Sequence, residues 1–186
     1  MEGPRFFWSP RGVKTTRVVL IGLSGSGKST VAPLLAQRLR HPCVDLDREI
    51  ERRAGRSVAT LFEEGEARFR ALESGALRDS LEGTEALVLA CGAGILERSE
   101  NRELLTTRAK VVWLAVDPES AAARLLGAGV TERPLLRGAG PLVERLRKLL
   151  ETRRAGYAAA AHAIVDTSGL TPEEVADRIA EGLAIA

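Results

Sequence analysis

Histidine and cysteine are scarce in this chain of 186 residues: His41 and His162, Cys43 and Cys91, and no others. Two cysteines cannot build a disulfide framework, and two histidines are too few for most zinc sites. No apolar run approaches the ~20 residues of a membrane span, and the N-terminus lacks the apolar core of a secretory leader. An excess of one charge is missing too. The 27 basic and 25 acidic side chains leave a net charge of +2, which argues against a dedicated nucleic-acid binder. These absences exclude membrane, secreted mini-protein and zinc-finger classes. What is present, 45% hydrophobic and 28% charged residues, is the composition of a folded globular protein and neither disordered nor fibrous. The length is about one domain by the usual size scale. A cytosolic enzyme, expected to be a monomer, is the class that remains.

Four short runs read as buried parallel strands: Val18-Val19-Leu20-Ile21, Leu87-Val88-Leu89-Ala90, Val111-Val112-Trp113-Leu114 and Ala163-Ile164-Val165. Cys43-Val44-Asp45 is a weaker fifth. Helical periods fall between them, as in Val31, Leu34, Leu35 and Leu39, and again in Leu142, Leu146, Leu149 and Leu150. The last helix opens with Thr171 as N-cap, Pro172 at the first helical position and Glu174 two residues on. This alternation predicts an α/β fold with a parallel sheet covered on both faces. Residues 1–16 show no periodicity and hold Phe6, Phe7 and Trp8 between Pro4 and Pro10, so they read as an N-terminal tail docking its aromatics on a body of residues 17–186.

Directly after the first strong strand and before a helix, Gly22-Leu23-Ser24-Gly25-Ser26-Gly27-Lys28-Ser29 satisfies GxxxxGK[ST] in full. Glycines let successive backbone N–H groups curl around phosphate oxygens, and the helix N-terminus adds partial positive charge. Gly25, Ser26, Gly27, Lys28, Ser29 and Thr30 are the expected ATP-binding residues. Lys28 is placed to reach the β- and γ-phosphates, and the Ser29 hydroxyl to hold Mg²⁺. Pro33, inside the helix, removes one backbone donor. An Asn-Lys-x-Asp base-reading motif is absent, as is the signature loop of transporter ATPases. The remaining choice is a compact kinase for a small hydroxyl compound.

Asp45-Leu46-Asp47 follows the second strand, at the sheet edge where ligands of such folds bind. One carboxylate can hold the metal's water shell while the other orients or deprotonates an acceptor hydroxyl. The alternative is a solvated helix start, since aspartate also suits an N-cap. Further on, Gly65-Glu66-Ala67-Arg68-Phe69-Arg70-Ala71-Leu72-Glu73 puts Arg70 and Glu73 on one helical face, with Leu77 turning that face inward. Arg153 continues the leucine stripe of its helix and Arg154 leaves it. An arginine on an apolar stripe needs an anionic partner, either a ligand or a protein carboxylate.

The phosphate loop, Asp-x-Asp, Gly-Glu-x-x-Phe-Arg-x-x-Glu, the cluster Gly92-Ala93-Gly94, the segment Arg133-Pro134-Leu135-Leu136 and a late Arg…Tyr follow one another in an order that resembles the shikimate kinase family. That resemblance runs from about Arg17 to the C-terminus. It implies a five-stranded parallel sheet of strand order 2-3-1-4-5 with a mobile lid, and ATP-dependent phosphorylation of the 3-hydroxyl of shikimate with Mg²⁺. It implies that Arg70 and Arg153 grip the substrate carboxylate and that Asp47 holds the hydroxyls as the catalytic carboxylate. Asp45 would act through metal-bound water. Backbone N–H groups of Gly92, Ala93 and Gly94 would approach the substrate, with Ala93 standing where the family has a central glycine. The lid would span about residues 127–140, with Arg133 neutralising charge on the transferring phosphoryl beside Lys28; the alternative is a plain surface loop. Asp166-Thr167-Ser168 resembles the loop that cups the base, and Arg124 is the nearest candidate to stack on it. A kinase for another polyol acid such as gluconate, and a non-catalytic ligand sensor on this fold, are the competing functions. Cys91, Cys43 and Trp113 read as core residues, and neither histidine has ligand-like spacing.

Overall fold

The structure, a computed structural model, describes residues 7–8, 16–83, 86–129 and 140–185. Six strands form one sheet: β1 (Phe7–Trp8), β2 (Thr16–Ile21), β3 (Cys43–Asp45), β4 (Ala86–Ala90), β5 (Lys110–Ala115) and β6 (Ala163–Asp166). Their spatial order is β1-β6-β5-β2-β4-β3. The five strands β2 to β6 pair in parallel throughout, which is the expected 2-3-1-4-5 order. β2 lies in the middle, and Val18 to Ile21 are shut off from solvent on both faces, as the unbroken apolar run requires.

Part of the N-terminal segment joins the sheet. The backbone of Phe7–Trp8 pairs antiparallel with β6, Phe7 opposite Ile164, and so covers an otherwise open sheet edge. The other residues of 1–15 lie outside the described residues.

Eight helices are described: α1 (Lys28–Leu39), α2 (Leu46–Ala54), α3 (Val58–Glu63), α4 (Glu66–Gly83), α5 (Ser99–Arg108), α6 (Pro118–Gly127), α7 (Leu142–Ala160) and α8 (Pro172–Ile185). Their starts follow local chemistry. Asp45, Ser57 and Asp117 each cap a helix by accepting a backbone N–H, and Pro118 opens α6. Thr171 and Glu174 exchange hydrogen bonds at 3.2 and 2.7 Å, completing the predicted capping box of α8. α1 continues past Pro33 to Leu39.

One face of the sheet packs on α1 and α8 through Val31, Leu35, Val175 and Ile179. The other is covered by α2 to α5 and α7, with Leu46, Phe69, Leu77, Leu105 and Tyr157 inside. Trp113 packs there against Tyr157, ring centroids 5.6 Å apart, as a core residue. Cys91 is buried, but Cys43 is exposed, against expectation, because β3 is the edge strand. His162 is buried in a structural role, its Nδ1 accepting from the Val111 N–H. With the five strands parallel, their carboxyl ends gather at one edge, and the candidate site lies there.

Candidate active site

Between β2 and α1 the chain turns back on itself in six residues. Gly22 has φ +141° and Gly25 φ +82°, and a Cβ at either would strike backbone, Leu114 O at 2.5 Å or Ala121 O at 2.6 Å. Only glycine permits that approach. Lys28, the first residue of α1, is 7% exposed. Its Nζ donates to Gly22 O and Leu23 O, both at 2.8 Å, and to Ser26 Oγ at 3.3 Å, which holds the ammonium within the loop.

A cavity of about 510 Å³ opens over this loop, walled by residues 25–30 with Asp45, Asp47, Arg124, Thr167 and Pro172. Arg124 donates to Thr167 Oγ1 at 3.0 Å and Thr167 O at 2.5 Å, and reaches Gly25 O at 3.5 Å. It thereby ties the phosphate loop to the 166–168 turn. Of that turn, Thr167 reaches the cavity, while Ser168 Oγ donates to the capping residue Asp117 at 2.8 Å.

A second cavity, about 550 Å³, adjoins the first. Ser29, Asp45 and Asp47 border both. Asp45 does two things: its Oδ1 caps α2 through the Arg48 N–H at 3.2 Å, and the residue lines the junction. Asp47 stands in the first turn of α2.

Arg70 and Glu73 form the far wall, 5% and 1% exposed. Arg70 Nη1 meets Glu73 Oε2 at 2.8 Å, and Nη2 meets Glu66 at 3.1 Å and Glu97 at 2.9 Å. Its guanidinium also lies over the rings of Phe62 and Phe69, 5.4 and 5.6 Å from their centroids. Burial works against the charge of Arg70, but Glu73 and Glu97 more than offset it and the pKa is raised. Burial lifts the Glu73 carboxyl, against the pull of Arg70. Glu73 Oε1 has no hydrogen-bond partner among the described residues.

Gly92 and Gly94 are where this charged cluster meets backbone. A Cβ on Gly92 would sit 2.8 Å from Glu73 Oε1 and 3.0 Å from Asp47 Oδ1, and one on Gly94 2.7 Å from Arg70 Cζ. Ala93, between them, avoids a positive φ, and its side chain is buried without trouble. Its carbonyl accepts a 2.6 Å hydrogen bond from Tyr157, whose phenol burial pushes up to about 12.

Arg153 is inward-facing, as its place on the leucine stripe predicts, with its side chain 12% exposed and Arg154 outside. It does not line that second cavity. It borders a smaller one of about 270 Å³ beyond Ala93 and Gly94, and pairs with Glu97. Glu97 thus joins Arg153 to Arg70. Sequence reading missed Glu97 altogether, since it lies in a connection with no periodicity. Phe62 is equally unmarked, and nothing in the Gly-Glu-x-x-Phe-Arg-x-x-Glu stretch marks its Phe69 as a platform under Arg70. Arg133 and most of the expected lid lie outside the described residues.

A family model described as shikimate kinase matches residues 24–184. The chain is 44% identical to the shikimate kinase of Symbiobacterium thermophilum over 167 residues, 89% of this chain and 95% of that one. It is also 44% identical to the shikimate kinase of Streptomyces coelicolor over 160 residues, 85% and 90% of the two chains. Among solved structures, shikimate kinase from Acinetobacter baumannii in complex with shikimate superposes with a TM-score of 0.86 at 33% identity, covering 93% of this chain and 95% of that one. The enzyme from Bacteroides thetaiotaomicron gives 0.83 at 34% identity, covering 91% and 98%.

Proposed function

The chain belongs to the shikimate kinase family, an ATP-dependent kinase acting on the 3-hydroxyl of shikimate, and from that premise we propose how its own residues divide the work. The observation that carries the division is the shared border: two cavities of similar size meet at Ser29, Asp45 and Asp47. ATP takes the cavity over the phosphate loop and shikimate the one walled by Arg70 and Glu73. The transferring phosphoryl crosses where they join.

Asp47 orients the 3-hydroxyl and accepts its proton as the oxygen attacks the γ-phosphorus and the bond to the β-phosphate oxygen breaks. Lys28 stabilises the charge spreading over the γ-phosphoryl oxygens, joined by Arg133 from a lid of about residues 127–140. Arg70 takes the substrate carboxylate from the wall of the shikimate cavity, with Arg153 joining from the smaller cavity beyond Ala93 and Gly94, and the backbone of Gly92, Ala93 and Gly94 lines the substrate's ring. Arg124 and Thr167 shape the base end of the nucleotide cavity.

The donor set suits Mg²⁺. The Ser29 hydroxyl and the Asp45 carboxylate offer hard oxygens at the junction, Asp45 through water. No cluster of three or more His, Cys, Asp or Glu side chains occurs among the described residues, in keeping with a cation held mainly by phosphate oxygens and water. When bound, the ion neutralises charge on the phosphates. We take residues 17–186 as one catalytic unit, a monomer working in the cytoplasm. Among the described residues no helix is long and apolar enough to cross a membrane.

A coupled ADP-release assay over shikimate, quinate and gluconate, with and without Mg²⁺, tests this reading. Shikimate should be preferred by a wide margin and turnover should vanish with EDTA. Preference for gluconate would move the substrate to another polyol acid, and turnover in EDTA would remove the metal from the scheme.

A further inference from the structure

The two arginines assigned to the substrate carboxylate already share a carboxylate. Glu97 gives one oxygen to Arg70 Nη2 and the other to Arg153 Nη2. Two guanidiniums bridged by the two oxygens of one carboxylate are at the spacing that a carboxylate ligand needs. We infer that Glu97 is an internal stand-in for the substrate's carboxylate, displaced when shikimate binds, and that it sets the affinity for the acceptor. The inference rests on the assignment of Arg70 and Arg153 as the carboxylate clamp.

Three observations single out Glu97 from the other glutamates around Arg70. Glu73 is fixed by burial at 1% exposure, and Glu66 reaches Arg70 but not Arg153. Glu97 bridges both, and its side chain is 38% exposed, so it has a way out to water. Its backbone is pinned: the Glu97 N–H donates to Gly94 O at 2.9 Å, and Arg102 Nη1 donates to Glu97 O at 3.1 Å and Leu96 O at 2.6 Å. Release therefore takes a side-chain rotation and no movement of the loop that also carries Gly92 and Gly94.

Charge makes the exchange necessary. Two arginines face three glutamates here, so the cluster is already negative with Glu97 in place. A fourth carboxylate entering this mostly buried setting would be repelled unless one of the three withdraws. Glu97 is the one with both the position and the exit. Guanidinium N–H groups remain to reward the newcomer, since Arg153 Nη1 and Arg70 Nε have no hydrogen-bond partner among the described residues.

The test is calorimetric binding of shikimate to the intact protein without ATP. Glu97→Gln should tighten binding about two- to fivefold, the range expected when a partly exposed competing ion pair is removed. Glu97→Asp, one methylene too short to span both arginines, should tighten it in the same direction. The carboxamide of shikimate, which carries no charge to compete, should gain nothing from Glu97→Gln. Glu100→Gln removes a neighbouring surface charge paired with Arg98 and should leave shikimate binding as it is. Weaker or unchanged binding in Glu97→Gln would make Glu97 a strut and overturn the inference, as would an equal gain for the carboxamide or for Glu100→Gln. Arg153→Lys separates the two levels: if it leaves shikimate binding untouched, the clamp itself fails whatever Glu97 does.

Discussion

The two cavities of this protein are built in opposite ways. The first rests on the phosphate loop, one contiguous segment between β2 and α1 whose tolerances are set by glycine conformation, with walls added by Asp45, Arg124 and Thr167. The side walled by Arg70 and Glu73 is mostly side chains, drawn from α2, α3, α4 and the connection after β4, with charges held in place by other charges and α7 joined to it only through Arg153 and Glu97. A phosphate presents the same oxygens in every nucleotide, so a fixed loop suffices. A particular hydroxy acid must be told from its relatives, and that takes groups converging from several elements. The contrast predicts that damage on the first side lowers turnover with any acceptor, while damage on the second is graded and specific to the acceptor.

The largest effect should come from Lys28→Ala. Loss of a preorganised charge on the transferring phosphoryl should lower kcat at least about 10²- to 10³-fold. The melting temperature should stay close to that of the parent, and near-normal turnover with any acceptor would break the kinase assignment. Asp47→Asn should cut kcat about 10²-fold or more, the usual scale for a general base. Binding of a non-hydrolysable ATP analogue should persist. A parallel loss of nucleotide affinity would move Asp47 to the other side of the comparison.

Next in size is Arg153→Lys, which keeps the charge but loses the planar fork. Shikimate KM should rise about tenfold, with little change in KM for ATP or in melting temperature. Arg70→Lys should raise shikimate KM similarly and also cost about 1–3 kcal/mol of stability, because buried Glu73 loses its fitted partner. Equal stability losses in both variants would mean that Arg153 is as structural as Arg70.

The smallest effects test the glycine cluster. Gly94→Ala places a methyl against the Arg70 guanidinium and should cost about 1–3 kcal/mol while raising shikimate KM. Ala93→Gly should cost less than about 1 kcal/mol, since Ala93 has an ordinary φ and its carbonyl bond to Tyr157 is unaffected. Chemical denaturation of both variants gives the ranking directly. If Ala93→Gly changes acceptor preference, the extra methyl has a part in selecting the substrate.

Much of the fold was legible because its signals are local. Buried runs such as Val18 to Ile21 cannot be surface, and Thr171 with Glu174 states a helix start within four residues. The strand at Phe7–Trp8 was not legible, for a two-residue pairing leaves no period to detect. Cys43 reads as a core residue by likeness to Cys91, although the order 2-3-1-4-5 itself puts the second strand at an edge, and the edge position decides its exposure. At the site, Arg70 with Glu73 could be read from helical spacing and Leu77. Phe62 and Glu97 could not, as nothing in their own neighbourhoods marks them, and Phe69 beside Arg70 shows its stacking role only once α3 brings Phe62 alongside.

The sequence by itself determined the phosphate loop and the carboxylates that follow the second strand. Those functions depend on residues adjacent in the chain, where backbone geometry and spacing are enough. Only the tertiary structure decided where Arg153 ends up and what it meets. Its partner Glu97 is 56 residues away, and Tyr157 reaches Ala93 across 64. A buried charge takes whichever counter-charge the packed elements bring within reach, and that choice is made by the fold as a whole.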